Sequence, residues 1–215
     1  MKHPCGIIVL HTTPFGEKGV VLHTLSSLWG RRSFLVRSAA SCAAYFQPLS
    51  ILDAVVTENP KSQLWTAGDF SLRRPLGGIR GSMGKSAISM FMAEVLYRGT
   101  REGAMEAELW SWLEKEIMLL DSLEEDFSNF HVLFLLEFCR ALGFAAGYND
   151  LLPFLEETAL DASALLSCPD LSAALLLPLS GARRTALCRS ILKYLEFHME
   201  TPLHIRSLDV LSELF

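Results

Sequence analysis

The strongest constraint on the fold of this chain is a change of hydrophobic period near residue 85. Before that point, short apolar or β-branched segments alternate with Pro, Gly, Asn and Ser, and no helical repeat lies between them. The predicted strands are Ile7–Thr12, Val20–Leu25, Ser33–Arg37, Leu49–Val56 and Gln63–Leu72. Strands of this length at this spacing predict a small closed five-stranded barrel, for which the OB-fold is one known architecture.

From Ser86 onward, apolar residues recur at helical spacing. The segment Phe130–Leu142 is apolar almost all round, which predicts a central buried helix, and Gly143 follows as its cap. The other markers of helices are Ile88, Phe91, Met92, Val95 and Leu96; Leu109, Trp112, Leu113, Ile117 and Leu120; Leu187, Ile191, Tyr194 and Leu195; and Leu208, Leu211 and Leu214. We expect prolines 153, 169 and 178 to divide the stretch after Gly143 into shorter pieces.

These patterns predict an α+β protein with two domains. Residues 1–80 are expected to form an N-terminal OB-fold barrel, and residues 81–215 an all-α helical domain. Formal charge divides in nearly the same place: residues 1–85 carry a net charge of +6 and residues 86–215 a net charge of −11. Such asymmetry indicates that the basic half binds a polyanion.

Apolar runs and cysteines narrow the class of protein further. Even the longest apolar runs are shorter than the roughly 20 residues of a membrane helix, so we expect a cytoplasmic protein, nucleoid-associated if it binds DNA. The five cysteines include no C-x-x-C pair, and the interpretation is therefore buried, reduced thiols rather than disulfides or a zinc site. No metal and no cofactor are expected.

Basic residues around the third predicted strand point to nucleic acid. Strand alternation places Arg31, Ser33 and Arg37 on one face, and Phe34 and Val36 on the other. A basic strip on a barrel wall can follow a phosphate backbone, and nearby aromatic rings can stack on unpaired bases. The residues predicted to contact DNA are Lys18, Arg31, Arg32, Arg37, Arg74, Arg80, Lys85, Phe15 and Trp29. The alternative at this point is a solvated outer face with Trp29 packed in the core.

The sequence Gly81-Ser82-Met83-Gly84-Lys85-Ser86 ends like a phosphate-binding P-loop. The full motif also needs a glycine five positions before Gly84, and Ile79 stands there, so a helix cap is the simpler interpretation. The histidines and carboxylates form no metal-protease motif, and no nucleophile elbow occurs. No catalytic residue is therefore assigned, and the chain is predicted not to be an enzyme.

Several short motifs follow one another in the order typical of a known family. They are Gly6-Ile7-Ile8-Val9-Leu10, Gly16-Glu17-Lys18, Gly30-Arg31-Arg32-Ser33-Phe34-Leu35-Val36-Arg37, Phe46-Gln47-Pro48-Leu49, Arg74-Pro75-Leu76, Ile79-Arg80 with Lys85 and Ala87, Glu94-Val95-Leu96-Tyr97, Leu142-Gly143-Phe144 and Ile205-Arg206-Ser207-Leu208. In these motifs the chain resembles the RecO family of DNA repair and recombination mediators. The resemblance implies binding to single- and double-stranded DNA, strand annealing, and loading of the RecA recombinase with the partner RecR.

The resemblance also implies contact with the acidic C-terminal tail of the single-strand-binding protein SSB. An acidic peptide with an apolar end needs cations around an apolar pocket, and the candidates are Arg98, Arg101, Lys115 and Arg140. One departure stands out: many family members carry a four-cysteine zinc module after the segment matching Leu142-Gly143-Phe144, whereas residues 145–169 here contain only Cys168. A protein-interaction scaffold without direct DNA contact is the alternative function.

Overall fold

The structure is a computed structural model that describes residues 1–37, 40–62, 64–103 and 107–215, with the backbone alone at residue 107. Its N-terminal part is a closed barrel with the strand order β1-β2-β3-β5-β4. The strands are β1 (Lys2–Phe15), β2 (Gly19–Ser26), β3 (Gly30–Val36), β4 (Ile51–Thr57) and β5 (Trp65–Leu72). Strand β3 runs parallel to β5, and the other neighbours are antiparallel. The predicted OB-fold barrel is confirmed; Gln63, predicted to begin the fifth strand, lies outside the described residues.

Strand β1 is longer than predicted and contains two prolines. Its residues 2–8 pair with β4 and its residues 7–15 pair with β2. Pro4 and Pro14 therefore each lie in a half of β1 that is paired on one side, where a missing backbone N–H is tolerated. The predicted strand ends at Thr12 because Pro14 lies in a segment rich in turn-forming residues.

The barrel core follows from strand alternation. Inward side chains such as Ile7, Leu22 and Phe34 are fully buried. A 3₁₀ turn at Ala43–Tyr45 lies between β3 and β4, and its Tyr45 packs against this core. This packing matters for function because it leaves alternate residues of the same strands on the outer surface.

Helices make up most of the chain after β5. They are α1 (Gly77–Gly81), α2 (Met83–Gly99), α3 (Ala107–Ser122), α4 (Phe130–Ala141), α5 (Tyr148–Leu155), α6 (Ala159–Leu166), α7 (Leu171–Leu175), α8 (Gly181–Met199) and α9 (Ser207–Leu214). The central helix α4 is largely buried, and Gly143 follows it with φ +83°, as the predicted cap requires. The expectation for Pro153 is wrong, because this residue lies inside α5 rather than at its end.

The chain forms two compact units, which we name by their main elements. The barrel unit comprises Met1–Gly77 and Ala93–Ile117, and the helical unit comprises Gly78–Met92 and Met118–Phe215. Part of the segment predicted to be helical domain thus packs with the barrel. Among the described residues, no helix is both long and apolar enough to cross a membrane.

Candidate nucleic-acid interface

One end of the β1–β2–β3 sheet carries an exposed aromatic ring and two exposed cations. Lys18 lies in the turn between β1 and β2, and Arg37 follows the last residue of β3. Because Val20 pairs with Val36, the register brings the turn and Arg37 to the same end of the sheet. Phe15, the last residue of β1, is 51% exposed. Three predicted DNA contacts therefore share one exposed strand end, which we call the basic end of the barrel.

A second group lies at the side of the barrel where β3 meets β5. The Arg32 guanidinium carbon lies 3.6 Å from the centroid of the Trp65 ring, which is the spacing of a stacked cation–π pair. Trp65 in turn meets Trp29 edge to face at 5.3 Å, and Trp29 packs against Phe34 of the core. Trp29 is half-buried and packs against the core, and its role as a stacking surface for bases stays a prediction.

Arg31 is placed differently from its neighbour. It is only 5% exposed, and its guanidinium lies 4.9 Å from the Tyr97 ring of α2. Burial lowers the pKa of this guanidinium, while the nearby Glu102 carboxylate and Tyr97 act in the opposite direction. Glu102 also accepts a hydrogen bond from the backbone N–H of Ser33 at 2.8 Å. The Arg31 side chain thus connects β3 to the helical segment of the barrel unit, and little of its surface is left for a phosphate.

Two histidines, His11 and His23, lie against the same Tyr97 ring that Arg31 contacts. His23 is hydrogen-bonded through Nδ1 to the Ser33 hydroxyl at 2.8 Å, and its ring stacks on His11 at 5.7 Å. Both rings also contact Tyr97, at 4.9 Å for His11 and 5.1 Å for His23. Burial lowers the pKa of His23, with smaller contributions from Arg31 and His11 and an opposing one from Glu102. Sequence reasoning missed this cluster, because its members are far apart in the chain.

The remaining predicted contacts are in less favourable positions. Arg74 follows β5 and lies 3.9 Å from the Glu114 carboxylate. Lys85 is 4% exposed and donates a hydrogen bond from Nζ to the backbone oxygen of Asp121 at 3.0 Å. Arg80 is exposed, but it belongs with Lys85 to the helical unit rather than to the barrel unit. These placements remove Lys85 from the candidate surface and leave Arg74 partly neutralised.

The predicted partner-binding cations do not belong to one unit. Arg98, Arg101 and Lys115 lie in the barrel unit, whereas Arg140 lies in the helical unit. Arg98 pairs with Glu94 one helical turn away, at 3.3 Å, and Arg140 pairs with Glu137. Lys115 is exposed on α3. Their assignment to a partner remains a prediction.

A zinc module does not fit the residues that follow Phe144. The stretch up to Pro169 offers one thiol, Cys168, and a structural zinc site needs four ligands. In the described part of the chain, no three His, Cys, Asp or Glu side chains are grouped so as to hold a metal ion. We therefore assign no role to such a module in this chain.

Comparison with known proteins gives a consistent set of relatives. A DNA repair protein RecO of Bacteroides fragilis is 30% identical to this chain, over 97% of the chain and 97% of that protein. A DNA repair protein RecO of Flavobacterium johnsoniae is also 30% identical, with the same coverage of both chains. The protein of that name from Phocaeicola vulgatus is 36% identical over 66% of this chain and 61% of its own length. No family model matches the chain.

Proposed function

This chain belongs to the RecO family of DNA repair proteins, and from that membership we propose that it is a recombination mediator that acts by binding DNA rather than by bond chemistry. A role in DNA repair follows from the family. The finer proposal is that the barrel binds single- and double-stranded DNA, anneals complementary strands, and helps to load recombinase together with RecR.

The observation that carries the proposal is the basic end of the barrel. Lys18 and Arg37 are exposed, and neither has an ion-pair partner among the residues that the structure describes. Their charge is therefore available to a ligand. Phosphate oxygens bind such cations with release of condensed counterions, which supplies most of the sequence-independent affinity for DNA. The exposed Phe15 ring beside them offers a face for an unpaired base.

The stacked Arg32 and Trp65 form a second group on the barrel. Arg32 lies four residues before Val36, the β3 residue that pairs with Val20 at the basic end. A guanidinium in contact with an indole ring is preorganised, because its side-chain rotamers are already restricted before DNA binds. Arginine planes and aromatic rings both stack on unpaired bases. The group thus favours single strands, whereas Lys18 and Arg37 serve single and double strands alike.

Annealing follows from the same charges. Two complementary single strands repel each other through their phosphates, and a basic surface that neutralises part of that charge lowers the cost of their approach. No covalent step is required, which agrees with a chain to which we assign no catalytic residue.

The salt dependence of DNA binding tests the proposal. Replacing Lys18 and Arg37 together by Ala should weaken binding to unrelated sequences and flatten the log–log salt slope by about 1.8 on duplex and about 1.4 on single strands. The matched control replaces Arg189 and Arg206, two exposed arginines of the helical unit, and removes the same formal charge. A slope that falls equally in both variants would place the DNA path outside the barrel, and an unchanged slope in the first variant would exclude the basic end.

Two protein partners, RecR and the C-terminal tail of SSB, complete the proposal. Peptide titration tests the SSB tail, with charge-reversed variants of the four cations proposed to bind it: Arg98, Arg101, Lys115 and Arg140. Binding should weaken in at least one variant, since an acidic peptide requires cations at its site. Undiminished binding in all four variants would show that the peptide binds another surface.

The alternative function is a scaffold without DNA contact. It predicts that the chain binds its protein partners but does not bind DNA.

A further inference from the structure

A cleft opens in the barrel wall where β3 and β5 separate. The two strands pair at Phe34 with Trp65 and at Leu35 with Thr66. Beyond these pairs, Val36 and Arg37 on one side and Ala67 and Gly68 on the other border a cavity of about 600 Å³. This volume lies within the range of roughly 300–1,000 Å³ that is usual for small-molecule sites.

The walls of the cleft suit a flat aromatic ligand. Its apolar lining includes the buried Val36 and Ala67 and the half-buried rings of Tyr45 and Phe70. Phe70 is held by an edge-to-face contact with Phe46, whose ring centroid lies 5.0 Å away. Rings that are fixed before binding lose little rotamer freedom when a ligand arrives.

Gly68 keeps this cleft open. A side-chain carbon built on Gly68 would meet no atom within 4 Å, so the glycine is not required by close packing in the free protein. Glycine in a strand lowers stability and often marks a β-bulge or a place where a ligand approaches the backbone closely. The next residue, Asp69, is exposed, lines the same cavity, and forms a bulge with φ +53°.

We propose that this cleft binds one unpaired nucleobase of a DNA strand whose phosphates lie on Lys18 and Arg37. The inference rests on the proposed function and adds a site to it. Arg37 is both exposed and part of the cleft lining, so a phosphate bound to it brings the attached base to the opening. A base inside a duplex is stacked and paired and cannot enter a cavity in a barrel wall. The cleft therefore serves single strands.

Asp69 gives the site a base preference. Its carboxylate only accepts hydrogen bonds, whereas adenine, cytosine and guanine carry exocyclic amino groups that donate them. Thymine has no such group, and its one donor, the ring N3–H, lies between two carbonyl oxygens that repel a carboxylate. A base with an amino group is thus favoured over thymine at the position that enters the cleft.

Gly68→Val tests the site by filling it. Valine is favoured in strands and the added carbons point into open space, so the thermal unfolding temperature should remain close to that of the natural chain. Affinity for a single-stranded oligonucleotide should fall about tenfold or more, the effect of losing one stacked base. Its salt slope should not change, because no cation is removed. Duplex affinity should also be unchanged, and Gly68→Ala should give a smaller loss.

The outcomes separate this inference from the proposed function. If Gly68→Val binds single strands as tightly as the natural chain while the Lys18 and Arg37 variant loses slope, the cleft is empty in the complex and the proposed function stands. If the natural chain binds no DNA, both fail.

Asp69→Asn supplies the second readout, since asparagine tolerates the same backbone conformation and both donates and accepts hydrogen bonds. The natural chain should bind oligo(dC) more tightly than oligo(dT), and this preference should shrink in the variant. Equal affinity of the natural chain for both oligonucleotides would overturn the role of Asp69.

Discussion

Cations of the same chemical type have opposite roles in the two units. In the barrel unit, Lys18 and Arg37 extend into solvent at the basic end. In the helical unit, Lys85 and Arg184 are buried and donate hydrogen bonds to backbone oxygens, such as that of Asp121. A buried cation satisfied by carbonyls stabilises the fold and presents no charge to a ligand. Formal charge therefore overstates the charge that is available to bind DNA.

The same contrast occurs within strand β3 itself. Arg31 and Arg37 are an even number of residues apart, so both belong to the outer face of the strand. A helical segment of the barrel unit covers Arg31 through Tyr97, and Arg37 remains exposed. Alternation along a strand identifies the face of a residue, but what packs on that face decides its role.

The largest effect is expected at Arg184. Its guanidinium donates to the backbone oxygens of Leu179 and Phe215, and the residue is 8% exposed. Arg184→Ala should lower the free energy of unfolding by about 2–4 kcal/mol, because it removes two charged hydrogen bonds and leaves a cavity. Chemical denaturation measures this change. DNA affinity of the folded variant should be unchanged.

Arg189→Ala is the matched control on the same helix. Arg189 is exposed and pairs with Asp209 at the surface, at 3.3 Å, so its replacement should change stability by less than about 1 kcal/mol. Equal destabilisation by the two variants would show that burial does not separate structural cations from surface ones.

Much of the fold could be predicted from the sequence, since periodicity depends on local residues. The five strands and the buried helix Phe130–Leu142 were found where alternation or a continuous apolar run was strong. The misjudged positions were prolines. Strand β1 continues through Pro14 because it is paired only with β2 there, and helix α5 continues through Pro153. The outcome at Pro14 depends on strand pairing, which no local pattern contains.

A pH-dependent loss of stability is expected in the helical unit. Burial lowers the pKa of His131 to about 3, with a further contribution from Arg184. The unfolded chain takes up this proton near pH 6.5, whereas the folded chain resists it until about pH 3. The contribution of neutral His131 to stability is therefore present above pH 6.5 and is lost as the pH is lowered towards 3. The free energy of unfolding should fall by about 2 kcal/mol between pH 7 and pH 5.

His131→Phe isolates this contribution. The ring of His131 stacks on Phe215 and meets Phe91 edge to face, so phenylalanine retains an aromatic ring in the same surroundings. Denaturation at pH 7 and pH 5 should show a smaller difference in the variant than in the natural chain. Parallel pH profiles would mean that His131 is protonated in the folded protein as readily as in the unfolded one.

Arg31 and Arg37 allow the contrast within β3 to be tested directly. Because Arg31 is 5% exposed, Arg31→Ala should lower the free energy of unfolding by about 1–2 kcal/mol, through loss of its desolvated cation–π contact with Tyr97. It should leave the salt slope of DNA binding unchanged. Arg37→Ala should leave stability unchanged and flatten the slope on single strands by about 0.7. A flattened slope for Arg31→Ala would show that its guanidinium reaches the phosphates despite its burial.

Less of the candidate site could be predicted than of the fold. Composition and alternation identified Lys18, Phe15 and Arg37, whose exposure needs no distant partner. The stacking of Arg32 on Trp65 was missed, because β3 and β5 are far apart in sequence and meet through a parallel pairing. Gly68 carried the one usable signal, a glycine inside a strand pattern, which indicates a bulge or a close approach of a ligand.

The smallest effect is expected at the pair formed by Arg74 and Glu114. The two side chains lie 3.9 Å apart and the arginine is 56% exposed, so the pair should contribute well under 1 kcal/mol to stability. Glu114→Gln removes the carboxylate and leaves the charge of Arg74 without this partner. If Arg74 lies on the DNA path, single-strand affinity at low salt should rise slightly and the slope should steepen by less than about 0.7, the value of one full contact. Arg74→Ala in the same background should reverse that gain. Identical slopes in all three chains would place Arg74 off the DNA path.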